Sequence, residues 1–498
     1  MRVAKLHKYI AKEDMMDNLQ FIRQTTEEKA GLIAGVNQGV WKCAEFGYEE
    51  TESSALIADT LKQEGFSVSL GVGGIPTAIE ASWGEGKPVI GILGEYDALP
   101  NLSQEAGVAE HRPIPGKRCG HGCGHSALGA GAVGAAVIIK EWLKASGSKG
   151  TVKFFGCPAE ETGFGKAFMA KAGCFSGLDA ALTWHPMDTN ITVAARMVGY
   201  YKVRFDFKGR TAHAGMNPQD GRSALDACEL MNMGVNYLRE HIISQARVHY
   251  AYLDAGGDAP NVVQATASLL YFVRAPKLSD CAAILDRIKK IANGAALMTE
   301  TEVKITVLGG LSDVIPNATL AKVMSDSFLE AGGPDFDEAD YEVARRFLDI
   351  LPEDAKAKVL AQGAKLNGIS EEEFAKRPLN TAVIPFSERM LEIVATGSSD
   401  VGDVSYIVPT AQLSAATAIP GTSAHTWQFT GQVGTGIGDK GSIAAARAIA
   451  LTAAKLYEDP ELIEKAKAEL YAETGGKYEC PIPDGISYTE VNPKAEQH

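Results

Sequence analysis

Short apolar runs alternate with helical patterns over the first part of the chain, and this alternation constrains the fold more than any other feature. The run PVIGILG, at 88–94, is apolar almost throughout, as in a strand that is buried on both faces of a sheet. A helical pattern at 124–143, a strand at 151–157, a short helix at 164–172 and a strand at 179–185 follow it. This order indicates βαβ crossovers, so we predict an α/β fold with a mixed, mostly parallel sheet.

The pattern changes after these elements. The run VGYYKVRFDFKG alternates apolar and polar residues, as a half-exposed antiparallel strand does. From there to TEVKITVLGG the predicted elements follow the order β-α-β-β-α-β, which is typical of a ferredoxin-like α+β module. We therefore predict one domain in two parts, 1–197 and 316–498, with an inserted ferredoxin-like domain at 198–315 and a helical insertion at about 331–390.

Reactive side chains follow three of the predicted strands at the points where the strands end. Asp97 comes just after the first of them, Glu160 and Glu161 come after the second, and His185 ends the third. The carboxyl ends of parallel strands meet at one edge of a sheet, and open α/β folds bind their ligands there. We therefore expect these four side chains to lie close together.

The segment GHGCGHS supplies further ligand types just before the predicted helix at 124–143. His121, Cys123 and His125 alternate in an extended turn, which aims alternate side chains in one direction. Imidazole, thiolate and carboxylate groups that converge on one crevice suit zinc, manganese or another borderline divalent ion. About five donors suggest two divalent metal ions per chain, Zn or Mn, with a carboxylate that does not bind them as general base.

The charge balance excludes several classes of protein. Lys and Arg number 48 and Asp and Glu 62, so the net charge is −14, and no basic stripe is present to bind nucleic acid. The uncharged stretch from Ser126 to Ile139 is expected to be a buried helix that is too short to cross a bilayer. The start, MRVAKLHKYIAKEDMMDNL, lacks the apolar core of a secretory signal, and eight cysteines are too sparse for a disulfide scaffold. We expect a cytoplasmic protein with no nucleic-acid or membrane partner.

Several motifs together resemble a known family. GEYDALP, GHGCGHSALGAG, PAEETGFGK and the strand-end His185 are similar to motifs of the co-catalytic metallopeptidase and aminoacylase family, in its subgroup of amidohydrolases with a bridging cysteine. The resemblance covers almost the whole chain and implies a catalytic domain with an inserted dimerisation domain. It implies that Cys123 is the bridging thiolate, Glu160 the general base and Asp97 a supporting acid. The implied further metal ligands are His125, Glu161, His185 and His425.

Three segments of the predicted inserted domain, GRTAHAG, APNVVQ and FVRA, match the same family. The resemblance implies that His213, Asn261 and Arg274 bind the substrate. His213 is expected to reach the active site of a partner subunit, where a donor stabilises the tetrahedral oxyanion. Arg274 presents a planar fork that suits a substrate α-carboxylate. The resemblance thus implies a homodimer, or a pairing of this chain with a related A chain, the other subunit of a two-subunit enzyme.

The resemblance implies hydrolysis of the amide between an aryl or acyl group and an amino acid, with p-aminobenzoyl-glutamate as the first expected substrate. Indole-acetyl-amino acids and other N-acyl amino acids are alternative substrates for the same chemistry. A thiol hydrolase, with Cys123 as nucleophile and His125 or His185 as base, is a different possibility that chelator resistance would support. A metal-binding regulatory subunit without turnover is a third, against which the full set of catalytic and substrate-binding residues argues.

Overall fold

Strands and helices alternate through residues 17–491, the part of the chain that the computed structural model describes. The segment from which we expect no secretory signal lies mostly outside these residues, as do the outer ends of the first and last predicted domain segments. The strands are β1 (Ser67–Leu70), β2 (Ile79–Glu85), β3 (Val89–Glu95), β4 (Leu99–Pro100), β5 (Cys119–Gly120), β6 (Gly150–Cys157), β7 (Ala180–Met187), β8 (Asn190–Val193), β9 (Arg196–Met197), β10 (Gly199–Lys208), β11 (Arg247–Asp254), β12 (Thr266–Ala275), β13 (Glu302–Leu311), β14 (Val383–Ile384), β15 (Val394–Ala395) and β16 (Thr410–Ala416). The helices are α1 (Asn18–Cys43), α2 (Thr51–Gln63), α3 (His125–Ser146), α4 (Glu160–Gly163), α5 (Gly165–Lys171), α6 (Ala224–Leu238), α7 (Leu278–Thr299), α8 (Ala318–Ala331), α9 (Glu338–Asp349), α10 (Glu353–Asn367), α11 (Glu371–Lys376), α12 (Val401–Ser405), α13 (Trp427–Val433), α14 (Gly436–Glu458), α15 (Pro460–Thr474) and α16 (Tyr488–Val491).

The larger sheet has eight strands in the order β1-β2-β6-β3-β7-β16-β8-β14. Strand β3 pairs in parallel with β6 and β7, and β16 pairs in parallel with β7, so the centre of the sheet is parallel. The pairs β1/β2 and β2/β6 are antiparallel. This sheet confirms the prediction of a mixed, mostly parallel α/β fold. Its central strands are buried because they are covered on both faces, which explains their nearly continuous apolar sequences.

Helix α3 lies in the core of the larger unit, between the sheet and helices α1 and α14. Its sequence is rich in glycine and alanine, and the small side chains allow close packing. A Cβ at Gly131 would lie 2.6 Å from Trp184 Nε1, so only glycine fits at this contact. Trp184 Nε1 donates a hydrogen bond to the carbonyl oxygen of Leu128 at 2.9 Å, which fixes strand β7 against the helix.

The same helix corrects one expectation. It extends to Ser146 and has 22 residues, so it is long and apolar enough to cross a membrane by length and composition, and the expectation that it is too short was wrong. The expectation of burial is confirmed, because 94% of its 18-residue apolar window is buried inside the protein. Within residues 17–491 no other helix meets the same test. Close packing of the sheet and of two helices accounts for the apolar composition.

The inserted module has its own antiparallel sheet, in the order β11-β12-β10-β13, with α6 and α7 packed on one face. Its chain order is β10-α6-β11-β12-α7-β13, which confirms the predicted ferredoxin-like architecture. A separate hydrophobic core lies between these helices and the sheet. The module therefore holds His213, Asn261 and Arg274 on a framework distinct from the larger sheet.

The acidic segment at 331–390 forms three helices, α9, α10 and α11. They enclose a small apolar core with Ile419, Ile437 and Trp427. The rings of Phe347 and Trp427 have centroids 6.3 Å apart. The insertion thus supports the loop that joins β16 to α13.

Candidate metal centre

The carboxyl edge of the parallel strands and the loops beside it carry the predicted metal-binding side chains. Each of these side chains comes from a short segment at the end of a strand or the start of a helix. The segments are the end of β3 with Glu95 and Asp97, the turn before α3 with His121, Cys123 and His125, the start of α4 with Glu160 and Glu161, β7 with His185, and the loop before α13 with His425.

Donor atoms from these segments form three groups, in each of which the atoms lie within 4.8 Å of one another. The groups are Cys123, His125 and His185; Cys123, Glu161 and His425; and Glu95, His125 and Glu160. Cys123 belongs to two of the groups, so its thiol lies between two sets of ligands. This is the position that a thiolate must occupy to bridge two ions.

Asp97 holds two of the predicted ligands in place. Its Oδ1 lies 2.7 Å from His125 Nδ1, and its Oδ2 accepts the backbone N–H of Glu161 at 3.0 Å. Because a carboxylate only accepts hydrogen bonds, Nδ1 carries the proton and Nε2 of His125 is the atom available to a metal. The predicted supporting acid thus contacts both ligands.

A similar contact orients His185. Its Nδ1 donates to the carbonyl oxygen of Pro186 at 2.9 Å, and its Nε2 lies 3.5 Å from the Sγ of Cys123. The rings of His185 and His125 meet edge to face, with centroids 5.8 Å apart. Both histidines therefore present Nε2 to the centre of the cluster.

A strained turn places the two glutamates at the start of α4. Ala159, just before Glu160, has a φ of 55°, in the left-handed region that side chains other than glycine rarely adopt. The buried Glu50 accepts the N–H of Ala159 at 2.8 Å, and the Tyr48 hydroxyl donates to the carbonyl oxygen of Gly163. Such strain persists only where surrounding contacts impose it, and it is typical of functional sites.

Burial shapes the acid–base properties of the cluster. It raises the pKa of the Cys123 thiol, with a further contribution from Glu161. Burial also raises the pKa of Glu160 well above its ordinary value, and Glu95 and Asp400 add to the effect. The hydrogen bond to Glu161 raises the pKa of His425. Divalent cations reverse this trend for a thiol, because a metal that binds sulfur stabilises the thiolate.

Several buried polar atoms of the cluster have no hydrogen-bond partner among the described residues. They are Glu95 Oε2, His125 Nε2 and Glu161 Oε1. Buried polar atoms almost always have partners, and carboxylate oxygen, imidazole nitrogen and thiolate sulfur are the donors that zinc and related ions take. The residues present therefore fit divalent metal ions.

His121 lies apart from the cluster and belongs to none of the donor groups of the described residues. Its Nε2 lies 3.1 Å from the carbonyl oxygen of Val40, and burial lowers its pKa to about 3. The N–H of Gly124 donates to the carbonyl oxygen of His121 at 3.1 Å, so residues 121–124 form a tight turn and the alternation expected of an extended segment does not hold. His121 is a neutral histidine of the core.

His213 and Asn261 lie side by side on the inserted module. The N–H of Ala214 donates to the carbonyl oxygen of Asn261 at 2.9 Å, and the backbone of His213 forms an isolated antiparallel β-bridge with that of Val262. The N–H groups of Gly215 and Met216 donate to His213 Nδ1, at 3.1 and 3.2 Å, so the proton of the ring is on Nε2. Both side chains are exposed, and neither belongs to the donor groups of the metal cluster.

Arg274 lies near the end of the inner strand β12 and faces the junction with the larger unit. Its Nη1 donates to Ser398 Oγ at 3.1 Å, and its guanidinium lies 4.8 Å from the ring centroid of Tyr200. Its Nε is buried without a hydrogen-bond partner, and within residues 17–491 no carboxylate forms an ion pair with it. The arginine is held by neutral contacts and retains unused donors.

The sequence analysis missed the contribution of three residues near the cluster. Glu95 Oε2 lies 3.2 Å from His125 Nε2, and Glu95 Oε1 lies 2.5 Å from Nζ of the buried Lys166. Lys166 also pairs with Asp400 at 2.6 Å. The available signal was the glutamate of GEYDALP, a second acid two residues before Asp97 at the end of the same buried strand.

Residues 91–490 match the model of peptidase family M20/M25/M40. Since this span is most of the chain, the protein belongs to that family, and it is a hydrolytic enzyme that acts on an amide bond. The chain is 41% identical over 478 residues to the B subunit of p-aminobenzoyl-glutamate hydrolase from Escherichia coli (strain K12), covering 95% of this chain and 99% of the relative. It is 27% identical to the Xaa-Arg dipeptidase of Mus musculus, covering 89% and 90% of the two chains.

A solved structure supports the fold. The chain resembles a dinuclear metal-binding peptidase of the M20 family from Bacillus subtilis, with a TM-score of 0.56 and 16% identity over 87% of this chain and 99% of the other. At this identity the likeness concerns the fold. It agrees with a catalytic α/β unit that carries an inserted α+β module.

Proposed function

We propose that this chain hydrolyses p-aminobenzoyl-glutamate to p-aminobenzoate and glutamate with the help of two divalent metal ions. The observation that carries the proposal is the position of Cys123 in two donor groups, with Glu160 in a third group beside them. The similarity to the Escherichia coli relative over nearly the full length of both chains supports the choice of substrate.

The residues that would hold the two ions are Cys123, His125, Glu161, His185 and His425. We propose Zn or Mn, because a mixed set of thiolate, imidazole and carboxylate donors suits these ions. Metal ions bound there would polarise the substrate carbonyl and lower the pKa of the attacking water.

Glu160 is the proposed general base. Its carboxylate takes a proton from water as the water oxygen bonds to the carbonyl carbon, and it gives that proton to the amide nitrogen as the C–N bond breaks. Burial raises the pKa of Glu160, which favours its holding the proton between the two transfers. Its place next to the ligand Glu161 brings it to the reacting atoms.

Arg274 is the proposed anchor for the α-carboxylate of the substrate. A guanidinium with a buried, unpaired Nε and no acidic partner among the described residues is a site prepared for an anion. The ring of Tyr200 holds the guanidinium plane from one side, which leaves its edge available for a bidentate contact.

Two alternatives keep part of this chemistry. The Xaa-Arg dipeptidase relative favours a second substrate class in which an amino acid other than glutamate is released. The contact of 3.5 Å between Cys123 Sγ and His185 Nε2 gives the thiol hydrolase a geometric basis. However, burial raises the pKa of Cys123, which disfavours a free thiolate nucleophile in the absence of metal.

An assay of the purified chain distinguishes these possibilities. Release of free amino acid is measured from p-aminobenzoyl, indole-acetyl and alkanoyl conjugates, together with the metal content of the protein. We expect p-aminobenzoyl-glutamate to be the best substrate and a chelator to abolish the activity. Activity that resists full metal removal would support the thiol mechanism, and two bound metals without turnover on any conjugate would support a regulatory subunit.

We also propose that the chain forms a homodimer through the inserted module. Strand β11 is an edge strand with exposed apolar residues, including Leu253, and α6 exposes Met233 and Tyr237 on its outer face. Unpaired edge strands and apolar patches of this kind are typical of interaction surfaces. The same surface would suit a related A chain, since the Escherichia coli relative is the B subunit of its enzyme.

Mixing inactive variants tests whether His213 acts across the interface. Glu160→Gln and His213→Ala subunits should each be inactive, and their mixture should regain activity, because one site of the hybrid then has a native Glu160 and a native partner His213. Subunit exchange is checked separately with differently tagged chains. No recovery after proven exchange would show that His213 acts within its own chain or not at all.

A cytoplasmic location completes the proposal. All eight cysteines are free thiols, as is usual in a reducing compartment. Fractionation of cells that express the tagged chain checks this, and recovery in a secreted or membrane fraction would contradict it.

A further inference from the structure

Three buried ionisable side chains lead from the interior of the protein to the metal centre. Lys166 is fully buried, and its Nζ lies 2.5 Å from Glu95 Oε1 and 2.6 Å from Asp400 Oδ1. Asp400 also accepts the backbone N–H of Lys166 at 2.8 Å. One oxygen of Glu95 is thus fixed from behind, and its other oxygen, Oε2, is left for a different partner.

Glu95 Oε2 meets the cluster at His125. The two atoms, Glu95 Oε2 and His125 Nε2, are 3.2 Å apart, and both are buried without a hydrogen-bond partner among the described residues. They are therefore in contact but lack the alignment of a hydrogen bond. Glu160 contributes a donor atom within 4.8 Å to the same group.

The hydrogen bond between His125 and Asp97 determines which atoms of His125 and Glu95 can bind a metal ion. Because Nδ1 holds its proton toward Asp97, a metal-binding His125 presents a lone pair at Nε2. Glu95 Oε2 presents a second lone pair 3.2 Å away. Two buried lone pairs at this distance repel each other unless a proton or a metal cation lies between them.

The charges of the buried ion pairs also favour a cation beside Glu95. Lys166 lies between two carboxylates, so with all three groups ionised the set carries one uncompensated negative charge. A buried charge without a partner is costly, and a nearby divalent cation offsets it. The ligand set implied by the family resemblance does not include this glutamate.

We propose that Glu95 is an additional donor of the metal centre, with Oε2 binding the same ion as His125 Nε2. Lys166 and Asp400 are positioning residues, because they act on the ion only through Glu95. The inference rests on the proposed function for the presence of the metal centre. It adds a donor to that centre and a buried ion-pair chain that holds this donor in place.

Zn²⁺ binding to the full-length, metal-stripped protein tests this role. Glu95→Gln should weaken the binding of one of the two ions by more than about 100-fold, since changes to residues that only orient ligands already cost about 10- to 100-fold. Asp400→Asn is the matched control. It alters the same series of buried ion pairs, Glu95–Lys166–Asp400, at the end away from the ion, so it should weaken Zn²⁺ binding less. Affinities are measured by competition with a chromophoric chelator, and thermal unfolding of the metal-free proteins checks that both variants fold.

Unchanged Zn²⁺ affinity in folded Glu95→Gln, or equal losses in both variants, would overturn the inference. If Glu95→Gln does not fold, a crystal structure of the Zn²⁺-loaded wild-type protein decides. A Glu95 oxygen at about 2.0–2.2 Å from an ion supports the proposal, and one beyond about 3 Å overturns it. A wild-type protein that binds no metal would contradict the proposed function as well, whereas two ions bound out of reach of Glu95 would contradict only this inference.

Discussion

The metal centre and the inserted module hold their functional side chains in opposite ways. His125 and Glu161 are buried, and they are fixed within a single chain by Asp97 and by the exposed His425, respectively. His213 and Asn261 are exposed on two adjacent loops and belong to none of the donor groups of the metal centre. Arg274 is partly buried but has no acidic partner among the described residues. In the proposed function, the metal centre is therefore complete within one chain, while the groups of the module act only when a substrate or a second subunit arrives.

The largest expected effect is on the acid–base chemistry of the metal centre. Glu160→Gln should keep both metals but lose about 10²- to 10⁴-fold in turnover, because an amide cannot carry the proton. Steady-state kinetics and metal analysis of the same preparation measure the two effects. Glu161→Gln, one residue away, should lose metal instead. Near-normal turnover in metal-loaded Glu160→Gln would remove this residue from the base role.

The inserted module should show a large effect that depends on the substrate. Arg274→Ala should cost about 2 to 5 kcal/mol in transition-state stabilisation, or roughly 30- to several-thousand-fold in kcat/KM. Amidation of the substrate α-carboxyl should cost the wild-type enzyme a similar amount, and the two losses should not add, because each removes the same contact.

A nearby arginine serves as the control for this experiment. Arg247 pairs with Arg274 in the sheet register, but it is exposed and donates to backbone carbonyls of its own turn. Arg247→Ala should therefore leave kcat/KM nearly unchanged. If the amidated substrate were hydrolysed as fast as the free acid, the role of Arg274 would be wrong.

A smaller effect is expected on metal binding. Cys123→Ser should weaken metal affinity by at least about ten-fold, since a hydroxyl is a poor ligand at neutral pH and a thiolate a strong one. Cys119→Ser, four residues earlier and outside the donor groups, should bind metal normally. Metal titration of both stripped variants provides the measurement. Two normally bound metals with no activity in Cys123→Ser would favour the thiol mechanism.

The remaining effect concerns stability and pH and leaves the chemistry unchanged. Burial and the nearby Asp97 raise the pKa of Glu50 from 4.5 to about 8 in the folded protein. Between these values the folded state keeps a proton that the unfolded chain releases, so Glu50 makes stability fall as pH rises through this window and has no further effect above it. The contribution is at most about 1.4 kcal/mol per pH unit.

Thermal unfolding of the metal-free protein across this pH range checks the contribution. Glu50→Gln should flatten the decline in Tm, while Glu52→Gln, at an exposed position of α2, should leave it as in the wild type. An equally steep decline in Glu50→Gln would assign the pH dependence to other groups.

Much of the fold was predictable because the strands of the two units differ in the spacing of their apolar residues. The apolar runs of β3 and β6 and the alternating pattern of β10 reflect burial on two faces and on one face, respectively. The ligand types at the strand ends could be identified for the same reason, since parallel strands bring their carboxyl ends together. These features depend on neighbours in sequence and on general rules of topology.

The buried ion-pair chain was not predictable in the same way. Lys166 and Asp400 are 234 residues apart in the chain, and only the packing of α5 against α12 brings them together. A lysine in a glycine-rich segment is usually a solvated surface residue. The prediction for His121 was wrong for a local reason, because His121 and Cys123 lie in a tight turn, closed by the hydrogen bond from the N–H of Gly124 to the carbonyl oxygen of His121, and not in extended backbone.

The contact between Gly131 and Trp184 carries a consequence for protein engineering. Glycine-to-alanine replacement within a helix is a standard way to raise thermostability, by about 1 kcal/mol. Here a methyl group would enter the indole of Trp184, whose neighbour is His185, and would push β7 away from the helix that begins at His125. The spacing of His125 and His185, two proposed metal ligands, thus depends on the absence of a side chain at Gly131, about one and a half helical turns from His125. A stabilisation campaign on this protein should exempt Gly131.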